Sequence, residues 1–200
     1  MRQLISFAIF LLFSQPAFSN EPFVQNTEFG YVFGGSGGGA FKLDCPNKGV
    51  ATGMNVRSGG WIEAIGLICR QWDQARQGWI GAETSTSMAG GPGGSPLSAR
   101  CKEGSVIIGM KIGFTREDKH PKFLDYVQID CGTPWGTATN VNCIGTGDGC
   151  NDRRANDKGV KLVYNFAAPA EHAGPLVRLI GRSGVFVDSL GFVRATDGRR

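Results

Sequence analysis

Histidines and closely spaced cysteine pairs are scarce in this sequence. Its 200 residues include only two histidines, His120 and His172, and its six cysteines never stand in a Cys-x-x-Cys spacing. Zinc sites are usually built from such residues. The composition therefore predicts neither a bound metal nor a cofactor.

Long hydrophobic runs are also lacking. The apolar run from Leu4 to Phe13 follows the positive charge of Arg2, and Ala17-Phe18-Ser19 offers the small residues that a signal peptidase needs. This run is well short of the ~20 apolar residues that span a bilayer. We therefore expect a secretory signal peptide at residues 1–19 and no membrane span. The chain would be secreted to an extracellular or periplasmic space, where thiols oxidise to disulfides.

Positive charge is not concentrated in any one segment. The formal net charge is +4, and the basic residues are scattered apart from Arg199-Arg200. Nucleic-acid binding usually needs a clustered basic stripe, so a nucleic-acid partner is not expected. The sequence also shows neither a Ser-His-Asp nor a Cys-His arrangement, which argues against an enzyme. Helical periodicity is weak throughout.

The chain contains a threefold repeat. Three segments share the order aromatic, aliphatic, acid, variable, aliphatic, Gly or Gln, then aliphatic or aromatic, at spacings of 62 and 63 residues: 61–67, 123–129 and 186–192. Such self-similarity indicates units that bury a common core, because about 60 residues are marginal alone. We expect residues 20–200 to form one all-β domain with three internal repeats.

A partner strand precedes each acid-bearing strand. Apolar alternation typical of half-buried strands predicts these partners at 50–56, 106–112 and 176–180. The turns Arg57-Ser58-Gly59 and Arg182-Ser183-Gly184 would follow the first and third partners, since glycine permits the positive φ of a tight hairpin. In the second copy a longer charged loop, 114–122, takes the place of that turn.

Glycine clusters and cysteines follow the same repeat. Residues 34–38 and 90–94 share the form GGxGG, and each cluster is followed at equal distance by a cysteine. Glycine lets backbone amides approach a ligand or another strand closely. The symmetry favours two disulfides that each staple one hairpin, and a third, local pair; other pairings stay open. The expected pairs are Cys45–Cys69, Cys101–Cys131 and Cys143–Cys150.

Two of these motifs resemble the jacalin-related lectins. The GxxxD pattern within 181–191 is similar to the sugar-binding segment of that family, and GGSGG at 34–38 is similar to its glycine-rich loop. The resemblance implies a β-prism I fold, with three antiparallel Greek-key sheets about a pseudo-threefold axis. It also implies a hexose site in which Asp188 accepts two sugar hydroxyls through charge-assisted hydrogen bonds. The implied carbohydrate-binding residues are Gly35, Gly184, Val185, Phe186, Val187 and Asp188.

Some members of that family carry a second site on another sheet. Here a GxxxE pattern lies beside the second glycine cluster, and Glu63 is one methylene longer than the expected aspartate. Trp61 could compensate by stacking on a sugar ring. The second copy has Pro121 in place of the motif glycine, so Asp125 is expected to serve no sugar site. The implied residues of the second site are Gly59, Gly60, Trp61, Glu63 and Gly91.

The cysteine-bracketed hairpins also resemble the vitelline membrane outer-layer protein group, which shares the prism fold. That resemblance implies a secreted structural or partner-binding protein, and a glycan-active enzyme is a third interpretation. The repeated acids could equally cap turns, and the repeated aromatics could fill the core. We expect a lectin-like protein that binds glycans or glycoconjugates without catalysis. Because such sites are shallow, useful avidity would need a second site or a homo-oligomer.

Overall fold

The computed structural model of the chain describes residues 26–29, 32–73, 76, 78–117, 120–134, 138–145, 162–166 and 174–196. The expected signal peptide and Cys150 of the expected Cys143–Cys150 pair lie outside these residues. Within them the chain is built of β-strands, together with a short 3-10 helix at Pro46–Lys48.

The strands are numbered in chain order. They are β1 Asn26–Phe29, β2 Phe33–Gly34, β3 Gly39–Asp44, β4 Val50–Ser58, β5 Ile62–Asp73, β6 Gly78–Ser85, β7 Ala89–Gly90, β8 Ser95–Arg100, β9 Val106–Glu117, β10 His120–Gly132, β11 Ala138–Gly145, β12 Leu162–Phe166, β13 Leu176–Ser183 and β14 Val187–Thr196.

Three antiparallel sheets result, one for each copy of the repeat. The first has the order β6-β5-β4-β8 with β7 beside β5, and the second has the order β11-β10-β9-β12. The third has the order β1-β14-β13-β3 with β2 beside β14. At the centre of every sheet, a partner strand pairs with an acid-bearing strand, as the repeat predicts. The third sheet combines strands from 26–44 with strands from 176–196.

The hairpin turns differ from the prediction. The residues of the predicted turns before glycine, Arg57-Ser58 and Arg182-Ser183, stay paired in their strands, so the chain turns at 59–61 and 184–186. The charged segment 114–122 of the second copy is mostly strand, because β9 runs to Glu117 and β10 begins at His120. The charged residues of this segment are compatible with β-strand, because β9 and β10 continue to pair with each other beyond the core.

The sheets pack on one another through a common core. Ile62, Leu124 and Val187 are equivalent residues of the three acid-bearing strands, and all are fully buried. The main buried cluster draws residues from every sheet. Burying one such side chain contributes roughly 1.5–3 kcal/mol relative to leaving it exposed. This shared burial joins three units that would each be marginal alone.

The repeated aromatic residues contact one another. Ring centroids are 5.4 Å apart for Trp61 and Phe123, 5.2 Å for Trp61 and Phe186, and 4.9 Å for Phe123 and Phe186. The pairs are tilted or edge-on, which are favoured aromatic geometries. Because the three residues are equivalent in the repeat, their contact marks one end of the pseudo-threefold axis.

Both described disulfides connect neighbouring sheets. Cys45 follows β3 of the third sheet and bonds to Cys69 in β5 of the first, with the Cα atoms 5.6 Å apart. Cys101 follows β8 of the first sheet and bonds to Cys131 in β10 of the second, at 5.5 Å. The pairs are those that the repeat favours, and each one also brackets a single hairpin, β4–β5 or β9–β10, as expected. Each edge strand leads directly into the next sheet, so the bond closes a junction between sheets. Arg194 occupies the equivalent position of β14.

Candidate functional site

Asp188 is the extra residue of a β-bulge. Arg182 and Ser183 are consecutive in β13, yet their partners in β14 are Ser189 and Val187. Asp188 therefore has no residue opposite it. A bulge bends its strand and redirects the side chain of the extra residue, and bulges are frequent beside functional sites. The local backbone, and not the aspartate alone, determines where this carboxylate lies.

The same bulge occurs in all three copies. The extra residue is Glu63 between β4 and β5, Asp125 between β9 and β10, and Asp188 between β13 and β14. Sequence reasoning missed this feature, although a signal was present. Ile62 and Ile65 both belong to the main core although they are three residues apart, whereas an unbroken strand would return to the same face after two. The change of phase across the acid is the sequence sign of the bulge.

The first glycine loop, residues 34–38, runs directly against Asp188. The amide of Gly35 donates a 2.7 Å hydrogen bond to the carbonyl oxygen of Asp188. A Cβ atom on Gly37 would lie 2.5 Å from Oδ1 of the carboxylate, and one on Gly38 would lie 2.7 Å from Oδ2. Gly38 also has a φ of +64°, which L side chains rarely adopt. Only glycine lets the loop come this close to the acid.

The turn at 184–186 forms the other wall of this site. The amide of Gly184 donates to the carbonyl oxygen of Phe186 at 2.9 Å. Val185 is 66% exposed, whereas Val187 is fully buried and its side chain belongs to the core. The ring of Phe186 packs in the aromatic cluster on the axis. Within this segment, Val185 is thus the residue whose side chain is open to a ligand, and Val187 can contribute its backbone only.

The pKa of Asp188 lies above its ordinary value of 3.8. Burial is the main cause, because it disfavours the charged form. The backbone amide of Gly184 and the positive charge of Arg182 lower the pKa and partly offset that effect. When ionised, the half-buried carboxylate has only acceptor oxygens, which suits it to receive hydroxyl hydrogens.

The second candidate site repeats this architecture around Glu63. The amide of Gly91 donates to the carbonyl oxygen of Glu63 at 2.9 Å, as Gly35 does to Asp188. The side chain differs, because Glu63 is only 7% exposed and its Oε2 accepts the amide of Gly59 at 2.8 Å. The acid of the second site is therefore buried and already bonded to its own turn.

The other residues of the second site differ in how closely they are packed. Trp61 is 36% exposed, but its ring packs against Phe123 and Phe186. Gly60 is at the tip of its turn with open space around it. A Cβ on Gly91 would lie 2.5 Å from the carbonyl oxygen of Val185. The turn of the third copy therefore rests on the glycine loop of the first, and the two candidate sites share a boundary.

The acid of the second copy has different surroundings among the described residues. Asp125 is 6% exposed, and the ring of the following residue, Tyr126, lies where a side chain on Gly113 would project. That Asp125 serves no sugar site remains a prediction. In the described part of the chain, no three His, Cys, Asp or Glu residues are grouped so that they could hold a metal ion. Nor do the described residues include a helix long and apolar enough to cross a membrane.

No family model matches the sequence, and a search of curated proteins gave no match. Solved structures do match the fold. Wild-type Malaysian banana lectin superposes with a TM-score of 0.57 at 16% identity, covering 86% of this chain and 100% of the lectin. A mannose-binding jacalin-related lectin from Ananas comosus gives 0.55 at 16% identity, with coverages of 85% and 98%. A mannose-specific jacalin-related lectin from Morus nigra, in complex with mannose, gives 0.55 at 16% identity, with 84% and 94%. At this identity the likeness concerns the backbone, and the chain has the β-prism fold of jacalin-related lectins.

Proposed function

We propose that this protein binds hexose units of glycans, without catalysis, at the site formed by Asp188, the glycine loop 34–38 and the turn 184–186. The observation that carries the proposal is the accessibility of one acid among three. Glu63 and Asp125 stand at the same bulge but are buried, whereas Asp188 is half-exposed between two loops. The mannose-binding neighbours share the fold and support the same class of ligand.

The chemistry of this site suits a sugar. An ionised carboxylate can accept hydrogen bonds from two adjacent hydroxyls at once, and charge-assisted bonds are roughly twice as strong as neutral ones. Backbone groups in the two loops can complete the polar contacts. Val185 offers an apolar surface to the C–H face of the ring, as is common in sites with few polar groups. A shallow site of this kind would bind a monosaccharide near millimolar, about −4 kcal/mol.

The protein would act outside the cytosol and on multivalent targets. The two described disulfides are typical of oxidising compartments, which supports secretion to an extracellular or periplasmic space. Weak single sites gain avidity when several engage together. A homo-oligomer, or the Glu63 site as a second and weaker one, would supply the additional contacts.

Absence of catalysis is part of the proposal. Glycosidases use two carboxylates about 5–9.5 Å apart on either side of the bond that breaks. The repeat supplies three acids, but Glu63 and Asp125 are each less than a tenth exposed. The threefold arrangement therefore does not present a pair of accessible carboxylates to a substrate.

A glycan array tests the function. The wild-type chain should bind hexose-containing glycans, and Asp188→Asn should lose that binding because the amide replaces one acceptor oxygen with a donor. Asp125→Asn is the matched control, since it makes the same change at the equivalent bulge and should retain binding. A wild-type chain that binds no glycan would refute the proposal, and release of reducing sugar from an oligosaccharide would favour an enzyme instead.

A further inference from the structure

Arg182 holds the glycine loop through several hydrogen bonds. Its Nε donates to the carbonyl oxygens of Ser36 and Gly37, both at 3.0 Å, and its Nη2 donates to that of Gly38 at 2.6 Å. The arginine stands at the end of β13 and is itself exposed. One side chain therefore contacts three successive peptide groups of the loop that lies against Asp188.

The first copy of the repeat contains the same arrangement. Nε of Arg57 donates to the carbonyl oxygen of Gly93, and Nη2 donates to that of Gly94, both at 2.7 Å. Gly94, like Gly38, has a positive φ, +69°. The two arginines and the two glycine clusters thus recur together, with the same atoms in the same roles.

The sequence of the second copy has no GGxGG cluster, and it has a glycine at the position of the arginine. In the sheet register Arg57 is opposite Ala64, Arg182 is opposite Ser189, and the equivalent residue of β9 is Gly113, opposite Tyr126. A Cβ on Gly113 would lie 2.1 Å from the tyrosine ring, so no side chain fits there. Strand β9 thus forms with a glycine at this position, so an arginine is not required for the strand itself. The arginine accompanies the glycine loop instead.

These contacts determine how the loop presents its peptide groups. In a trans peptide the N–H points opposite to the C=O. With three successive carbonyls directed at the guanidinium, the amides of Gly37 and Gly38 are turned away from it. A glycine-rich segment loses more conformational entropy on ordering than any other, so a free loop would adopt this arrangement only at a cost.

We propose that Arg182 is a positioning residue of the glycan site, which holds the glycine loop 34–38 in the conformation that receives a sugar. The inference rests on the proposed function for its ligand, but the ordering of the loop can be measured without one. Arg182 acts through the loop backbone and does not need to touch the sugar. A loop ordered in advance spares the ligand the entropic cost of ordering it.

The charge of Arg182 has a separate effect on Asp188. In the described part of the chain Arg182 is the charged side chain that acts on the pKa of this acid, which it lowers. The glycine loop 34–38 and the turn 184–186 carry no titratable side chain. Loss of the charge should therefore raise the pKa of Asp188. Loss of the planar guanidinium with the charge retained should leave that pKa unchanged.

Three variants of the full chain separate these effects. Arg182→Gln removes both the positive charge and the planar guanidinium with its N–H donors. Arg182→Lys keeps the charge but removes the guanidinium. Arg178→Gln is the matched control. Arg178 lies on the same strand but pairs with Asp44, away from the loop. Binding of methyl α-mannoside and of the best ligand on a hexose glycan array is titrated across the acid range. Amide hydrogen exchange of Gly35, whose N–H is bonded to the carbonyl oxygen of Asp188, is measured by NMR without ligand.

We expect both Arg182 variants to bind at least tenfold more weakly than wild type, and Arg178→Gln to bind normally. The pH below which sugar binding is lost should be higher in Arg182→Gln than in wild type, and should be unchanged in Arg182→Lys. Exchange at Gly35 should be at least tenfold faster in Arg182→Gln than in Arg178→Gln, because a loosened loop opens its bond to Asp188 more often. A lysine variant with wild-type affinity, or unchanged exchange in Arg182→Gln, would overturn the positioning role.

The two proposals fail in different ways. A wild-type chain that binds nothing on the array refutes the glycan function, and with it the ligand assigned to this loop. A wild-type chain that binds sugar while Arg182→Gln binds equally well refutes only the positioning role. Faster loop exchange together with weaker sugar binding supports both.

Discussion

The amide of Gly35 donates a hydrogen bond to the carbonyl oxygen of Asp188, and this bond joins segments that are far apart in sequence. The loop 34–38 enters the third sheet between β2 and β3, while Asp188 is in β14. The candidate site thus depends on assembly of the third sheet from both segments. Changes to either segment should therefore alter glycan binding.

Substitution of Asp188 should separate stability from binding. Its pKa is raised in the folded protein, so the acid favours folding below its ordinary pKa of 3.8, and that contribution is lost as the pH rises through the folded value. Asp188→Asn removes the buried charge and should raise the unfolding temperature at neutral pH while glycan binding is lost. Calorimetry from neutral to acidic pH should show the difference shrinking as Asp188 becomes protonated. An asparagine variant less stable than wild type at neutral pH would contradict the expectation.

Glycan binding should weaken on acidification. Protonation of Asp188 removes acceptor capacity from its carboxylate, and the raised pKa places this loss above the ordinary range of an aspartate. Titration of a bound hexose glycan at a series of acidic pH values, with circular dichroism to monitor folding, checks the prediction. Binding that persists unchanged below pH 3.8, with the fold intact, would show that the carboxylate is not an essential acceptor.

A methyl group on Gly38 should harm both the site and the fold. Gly38→Ala places a Cβ 2.3 Å from the carbonyl carbon of Ser183 and 2.7 Å from Asp188. Gly104→Ala is the control, because Gly104 also has a positive φ, +81°, but open space around it. The control should lose about 1–2 kcal/mol of unfolding free energy from backbone strain alone. Gly38→Ala should lose more in urea unfolding and should also bind sugar more weakly; equal effects would disprove the steric argument.

Removal of a disulfide should lower stability without direct loss of binding. Cys45 and Cys69 close a loop with a sequence separation of 24, and Cys101 and Cys131 one of 30. Replacing either pair by serines should reduce the unfolding free energy by about 3 kcal/mol in the chain-entropy model. Urea unfolding measures the loss, and sugar titration well below the unfolding midpoint should give wild-type affinity. Weaker binding by a fully folded variant would show that the junctions between sheets also shape the site.

The sequence was sufficient to predict the two central strands of each sheet and their pairing, but not the outer strands. Apolar alternation located the central strands, and the repeat showed which ones correspond and which cysteines pair. It was not sufficient for the burial of Glu63 or the environment of Gly91, because these depend on how the sheets pack. Val185 lies over Gly91 although the two residues belong to different copies. Contacts of this kind follow from the closed prism and leave no pattern at local spacing.

The bulge was missed for a different reason. The three-residue spacing of Ile62 and Ile65 indicated the bulge. A criterion based on regular alternation of apolar residues does not detect such an interruption. The bonds of Arg57 and Arg182 to the glycine loops were not predicted either, because the sequence places both arginines beside a hairpin turn. Comparison of all three copies would have shown that an arginine occurs wherever a GGxGG cluster occurs.

The shared bulge also makes the second sheet a starting point for protein engineering. Asp125 already occupies the extra position, so a designer could keep the strand register and change only the surroundings. Replacing Tyr126 by a small residue would free the space above Gly113 for an arginine, and a transplanted GGxGG segment would supply its carbonyl partners. A prism rebuilt in this way would carry the arrangement of arginine, glycine loop and bulged acid in every sheet, and its proposed valency for glycans would rise with each grafted loop.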